Sequence, residues 1–178
     1  MRTEHRREDS IVTITACNRK ELAYFSKMTK STTDPLKKNA VVMGRKTWES
    51  IPEKFRPLPG RLNVVLTCTN RSLGEEVIVH TSLEDAIKDL HNRQDVETVW
   101  VIGGSSVYDE MMKSSYCHRL YITSILKDYS CDTFFPEIGS QYISVSDPTV
   151  PSGIQEENGI QFQYKVYENT EYVSIKNI

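Results

Sequence analysis

Residues 98–112 read TVWVIGGSSVYDEMM, passing from an unbroken apolar run (Thr98 to Ile102) through Gly103-Gly104 into a segment that Ser105 opens and that runs to Met112. A run of five β-branched, aromatic and aliphatic residues with no polar alternation fits a strand covered on both faces, which is the habit of parallel sheets. The same succession occurs upstream. Asn39 to Met43 (NAVVM) is a second such strand, Gly44 breaks it, and Arg45 to Ser50 (RKTWES) predicts a short helix that Pro52 ends. Ser10 to Ala16 (SIVTITA) predicts a first strand, followed by a helix over Lys20 to Lys30 with Leu22, Phe25, Met28 and Thr29 on one face. Beyond the Pro57, Pro59 and Gly60 loop come strands at Arg61 to Thr67 and Val77 to Val79, then a helix to Leu90 with Ser82 as its N-cap. Arg119 to Leu126, Tyr142 to Val145 and Ile160 to Glu168 follow as strands without intervening helices; the last alternates Ile160, Phe162, Tyr164 and Val166 with polar neighbours, as an antiparallel edge would. The expected fold class is α/β, a mostly parallel central sheet flanked by helices with an antiparallel C-terminal strand.

The chain has 178 residues, 38% hydrophobic and 26% charged, which is enough for one packed domain and too apolar for a disordered chain. With 22 Lys and Arg against 24 Asp and Glu, the net charge of -2 recommends neither DNA nor an anionic membrane as partner. Cys17, Cys68, Cys117 and Cys131 form no C-x-x-C pair, and free thiols in a reducing compartment are expected. No run approaches a membrane span, no apolar stretch of the length a secretory signal needs follows MRTEHRREDS, and its acids disfavour a transit peptide, so a cytoplasmic location is expected rather than a mitochondrial one.

Ligands of open α/β sheets bind beyond the carboxyl ends of the strands, where Gly44 and Gly103-Gly104 stand. Such glycines also occur simply to permit tight turns. Arg45, Lys46 and Thr47 argue for more, because cations at a helix start are electrostatically unhelpful unless an anion joins them. Neither turn matches G-x-G-x-x-G or a P-loop. Glu21 opens a mainly apolar helix face, and Arg61, directly after a Pro/Gly loop, is well placed to hold a carboxylate with its planar fork; each also has an ordinary reading, as dipole complement and as surface charge. His5, His80, His91 and His118 lack metal-ligand spacing, and no metal is expected.

Taken together, VVMGRKTWESIPEKFRPLPGRLNVVLT (Val41 to Thr67), VWVIGGSSVYDEMM (Val99 to Met112), RLYITSIL (Arg119 to Leu126), DTFFPEI (Asp132 to Ile138) and IQEENGIQFQYKVYE (Ile154 to Glu168) closely resemble vertebrate-type dihydrofolate reductases. The resemblance covers about 150 residues. It implies the single-domain fold of that family over residues 21–170, with a divergent segment at 1–20 and a tail at 171–178. It also implies hydride transfer from NADPH to the pteridine ring of dihydrofolate, a monomer, antifolate binding, and RNA contacts by family likeness only. By the same comparison Glu21 is the acid that anchors the pterin and controls proton supply, and Thr123 the hydroxyl supporting it. Leu22, Tyr24, Phe25 and Ser26 belong to the folate-facing helix, Ser50, Ile51, Phe55 and Leu58 to the wall around the benzoyl group, Arg61 to the glutamate clamp, and Ile102 and Tyr108 to the pterin side. For the cofactor the resemblance implies Thr13, Arg45, Lys46, Thr47, Thr67, Cys68, Thr69 and the turn Gly103, Gly104, Ser105, Ser106, Val107 and Tyr108.

Two departures stand out. Cys68 and Thr81 occupy positions where vertebrate relatives often carry arginines near the 2′-phosphate, leaving Arg45 and Arg71 as candidates. The long glycine-containing loop with its G-x-L-P-W-like end is absent: with Ile11 to Thr15 as the core of the first strand, only Ala16 to Lys20 separate it from Glu21. A covering loop excludes water and completes the reacting geometry, so its loss is expected to lower turnover more than binding. Two functions are weighed on this basis: an NADPH-dependent dihydrofolate reductase, and a catalytically silent protein that keeps the folate or NADPH pocket. A pyrimidine reductase of related fold is disfavoured by the DTFFPE and SIPEKFRPLPGR segments.

Overall fold

The computed structural model describes residues 9–12, 19–69, 72–128 and 134–173. Within them the strands are β1 (Asp9–Val12), β2 (Lys38–Gly44), β3 (Leu62–Leu66), β4 (Val77–His80), β5 (Val96–Val101), β6 (Arg119–Ile125), β7 (Tyr142–Val145), β8 (Ile154–Glu157) and β9 (Ile160–Asn169). The helices are α1 (Arg19–Lys30), α2 (Arg45–Ser50), α3 (Leu83–Asn92) and α4 (Ser105–Lys113), with a 3-10 turn at Glu53–Phe55. One sheet runs in the order β4-β3-β2-β5-β1-β6-β9-β7, and β8 also pairs with β9. Every pair from β4 through β6 is parallel, whereas β6, β7 and β8 all meet β9 antiparallel.

Successive side chains on a strand face opposite ways, and β2 shows what this does in a parallel sheet. Ala40 and Val42 pack with Leu83, Ile87 and Leu90 of α3 and with Met111 of α4. Val41 and Met43 pack on the other face with Phe25 of α1 and Trp48 of α2. Both faces are therefore apolar, which is why NAVVM and TVWVI carry no polar alternation. Ser82 caps α3 as expected, its hydroxyl accepting the Asp85 N–H at 3.1 Å.

The expected first strand is described over Asp9–Val12, and residues 13–18, Thr13 among them, lie outside the described residues. Two expectations need correction. Strand β9 is not an edge: β6 lines one side along its length, while β8 and β7 divide the other. Its alternation, with Phe162 and Val166 buried, reflects one covered face rather than a free margin. On α1 the buried stripe is Glu21, Phe25 and Thr29, and Leu22 is 47% exposed beside it.

Candidate functional site

Helix α1, the β6–β9 pair and Val150 border a small open cleft lined by Glu21, Tyr24, Phe25, Met28, Tyr121, Thr123 and Tyr164. Glu21 is 2% exposed. Thr123 and Tyr164 are directly opposed across the β6–β9 ladder, so the strand pairing sets the floor on which the acid stands. Burial, and then the Glu21 charge, hold the hydroxyls of Tyr108 and Tyr164 above the ordinary tyrosine range. Tyr24 stacks obliquely on Tyr164 at 4.3 Å, and burial raises its hydroxyl too. Tyr121 packs edge-on against Trp100 and donates to Asp147 Oδ2 at 3.0 Å, while Asp147 also accepts from the Thr149 N–H and hydroxyl. This clasp holds the segment bearing Val150 beside the cleft. Burial is the main reason that the Tyr121 hydroxyl is pushed up to about 12.

Two turns along α1 the character of the surface changes. Arg61 is 8% exposed, donates from Nη1 to Thr29 Oγ1 at 2.6 Å and lies over the Phe25 ring at 5.7 Å. Among the described residues it has no carboxylate partner, and burial lowers its guanidinium pKa to about 10. Asn63 holds the preceding loop: its amide donates to the Leu58 and Arg61 carbonyls and its oxygen accepts the Leu58 N–H. Ile51 and Leu58 pack against the Phe25 and Trp48 cluster, whereas Phe55 is 55% exposed and Ser26 half-buried. The exposed Ser50 hydroxyl closes back on the Thr47 carbonyl at 2.7 Å. Sequence reading missed Thr29 and Asn63. The signal for Asn63 was an amide inside the otherwise apolar RLNVVLT strand, where asparagine is disfavoured.

The two glycine turns meet at the carboxyl ends of β2 and β5, where the Gly44 N–H donates to the Gly103 carbonyl at 2.7 Å. The space around them is closely fitted. A Cβ on Gly44 would stand 3.3 Å from Val107 Cγ2, one on Gly104 3.4 Å from Thr47 Oγ1, and one on Gly103 3.2 Å from the Tyr108 hydroxyl oxygen. Gly103 also has φ +114, open in practice to glycine. Ser105 and the exposed Ser106 begin α4, whose N-cap Gly104 offers no side-chain acceptor. Lys46 is exposed, and Arg45 pairs with Glu49 at 2.8 Å, both half-exposed. Gly44 pairs with Leu66, so Thr67, Cys68 and Thr69 continue from the neighbouring strand end; Thr67 is buried and the other two exposed. Ile102 is buried under α1 and α2. Tyr108 joins the two halves, with its hydroxyl against Gly103 and within the field of Glu21.

A family model described as dihydrofolate reductase matches residues 15–169. A dihydrofolate reductase of Drosophila melanogaster is 52% identical over 151 residues, covering 83% of each chain, and that of Sus scrofa is 45% identical over 159 residues, covering 84% of each. The solved dihydrofolate reductase of Schistosoma mansoni superposes with a TM-score of 0.81 at 36% identity, over 93% of this chain and 100% of its own.

Proposed function

This chain belongs to the dihydrofolate reductase family and is an oxidoreductase that reduces dihydrofolate; we propose that NADPH is its reductant and that Glu21 and Arg61 fix the two ends of the folate. One observation carries the assignment of the ends. Glu21 and Thr29, the residue that holds Arg61, are eight positions apart on one helix face, about 12 Å at 1.5 Å per residue. A buried acid and a buried cation at that spacing suit a ligand with a hydrogen-bonding heterocycle at one end and a carboxylate at the other.

NADPH, when bound, supplies the hydride. The two glycine turns meet at the carboxyl ends of β2 and β5, and the start of α4 has no side-chain cap, which suits a phosphorylated group there. Thr47 and the N–H groups at the start of α4 would hold its phosphates, with Arg45, Lys46, Thr67, Cys68 and Thr69 around the adenosine end. Reduction of the pterin C=N bond also requires a proton at nitrogen. Glu21, buried beside Thr123, would hold the ring's amino and N–H groups and relay that proton to the nitrogen. Phe25 and Ile102 exclude water from the ring. Ile51, Phe55 and Leu58 would flank the benzoyl group, and Arg61 would clamp the terminal carboxylate with its planar fork.

The reading as a silent binding protein is not favoured, the relatives being reductases by name. What supports a cytosolic monomer acting on small molecules is that one chain supplies every group named above, and that Cys68 and Cys117 are free thiols. The test is NADPH oxidation with dihydrofolate, beside Glu21→Gln. We expect turnover in the parent and none in the variant, because an amide cannot supply the proton. Turnover unaffected by Glu21→Gln would remove Glu21 from the reaction.

A further inference from the structure

Helix α1 begins at Arg19, so the Lys20 N–H is one of the first-turn donors that no intrahelical carbonyl can satisfy. It donates to Glu157 Oε2 at 2.9 Å, from 137 residues further along the chain. The Lys20 ammonium reinforces the junction by donating to the Glu156 carbonyl at 2.8 Å. Glu157 ends β8 at a tight turn. Asn158 and Gly159, with φ 52 and 74, form the two-residue connection that right-handed strand twist favours, and Glu157 is paired with Ile160 across it. Strand β9 in turn is laced to β6 along the stretch where Tyr164 faces Thr123. The carboxylate that caps α1 is therefore fixed to the same strands that form the floor of the cleft, and its charge favours the positive end of the helix. Burial first, and then the charges of Glu21 and Glu157, raise the Tyr164 hydroxyl.

We propose that Glu157 is a positioning residue for dihydrofolate reduction: by capping the first turn of α1 from the β8–β9 hairpin, it sets the height and rotation of Glu21, the next residue after its partner Lys20. Nothing else in the cleft requires Glu157, whose side chain is half-buried outside the Glu21 pocket. Catalysis is sensitive to such placement, a 1 Å error costing on the order of 100-fold in rate. The inference rests on Glu21 as the reaction's acid.

The experiment compares Glu157→Ala, Glu157→Gln, Glu157→Asp and Glu156→Ala with Glu21→Gln, each checked for a folded far-ultraviolet spectrum and assayed for kcat and KM. Glu157→Ala should lose about 10-fold or more in kcat, with a smaller rise in KM because Arg61 still holds the other end. Glu157→Gln should stay within about threefold of the parent, since its amide oxygen still accepts the Lys20 N–H. Glu157→Asp keeps the charge but withdraws the acceptor by one methylene, and should be impaired in kcat even if the alanine variant does not fold. Glu156→Ala should match the parent, because Lys20 uses its main-chain carbonyl. Parental kcat in folded Glu157→Ala and Glu157→Asp would overturn the proposal, as would a glutamine variant no better than alanine or an equal loss in Glu156→Ala. If Glu21→Gln remains active, the failure is in the role of Glu21; if Glu21→Gln is dead and Glu157→Ala is normal, it is in the cap alone.

Discussion

Replacing Arg61 by Met separates binding from stability. The side chain is 8% exposed, lies over Phe25, makes one hydrogen bond to Thr29 and has no carboxylate partner among the described residues. Thr29 loses little, because its hydroxyl still donates to the Phe25 carbonyl at 2.8 Å. Methionine keeps the apolar length and removes a cation whose burial is uncompensated, so stability should stay within about 1 kcal/mol of the parent or rise. Affinity should behave oppositely. A charge-assisted bond to the substrate's carboxylate contributes about 1.5–3 kcal/mol, which is roughly 10- to 150-fold in Kd. The sign with pH follows from the lowered pKa. Arg61 is fully cationic at pH 7, its desolvation cost is present at all pH values below about 10, and that cost is relieved only as pH rises from there toward the ordinary arginine range. Titration at pH 7 by quenching of Trp48 and Trp100, both buried in the cluster that contains Phe25 of α1, would compare methotrexate with a diaminopyrimidine that lacks the glutamate tail. The tailed ligand should lose the full factor and the tail-less one less than about threefold. Equal losses for both, or none for either, would refute the clamp.

Two further outcomes follow from the cofactor side and from the short β1–α1 connection. Arg45→Ala should weaken NADPH more than NADH, since only NADPH carries the extra phosphate; its exposed pair with Glu49 contributes only about 0.3–0.5 kcal/mol to stability, so the melting temperature should barely move. Replacing residues 13–18 by the longer glycine-containing loop of a relative should raise kcat by on the order of 100-fold while methotrexate affinity changes less, and an unchanged kcat would show that turnover here needs no covering loop.

The parallel half of the sheet was legible because strands covered on both faces must be apolar throughout, and TVWVI and NAVVM have no other comfortable home. Strand β8 was not, although Asn158-Gly159 between IQEE and IQFQ is the strongest short hairpin signal in the chain. The misassigned edge of β9 has a related cause: alternation reports one covered face, and it is silent on how many neighbours complete the ladder. In the site, the glycine turns announced themselves through the misplaced cations that follow Gly44. Arg61 stood out after its Pro/Gly loop, but its burial was not legible, because that depends on Thr29 and Phe25, more than thirty residues away. Glu157 was harder still, since a carboxylate beside a turn has no visible tie to a helix start 137 residues earlier.

Strand β9 gives the protein a particular order of assembly in time. Glu21, Arg61 and both glycine turns all precede residue 110, but the floor of the cleft needs Tyr164 and Lys165. At about 5–20 residues per second of synthesis, roughly 2–9 s separate the emergence of Ile125 at the end of β6 from that of Asn169 at the end of β9. Throughout that interval β6 presents an unpaired row of backbone donors and acceptors, open to any extended segment that reaches it first. A chain that stops short of residue 160 would thus display nearly every recognisable motif and yet be an inactive species with an adhesive edge, so premature termination late in the message should yield a target for chaperones and proteases rather than a weaker enzyme.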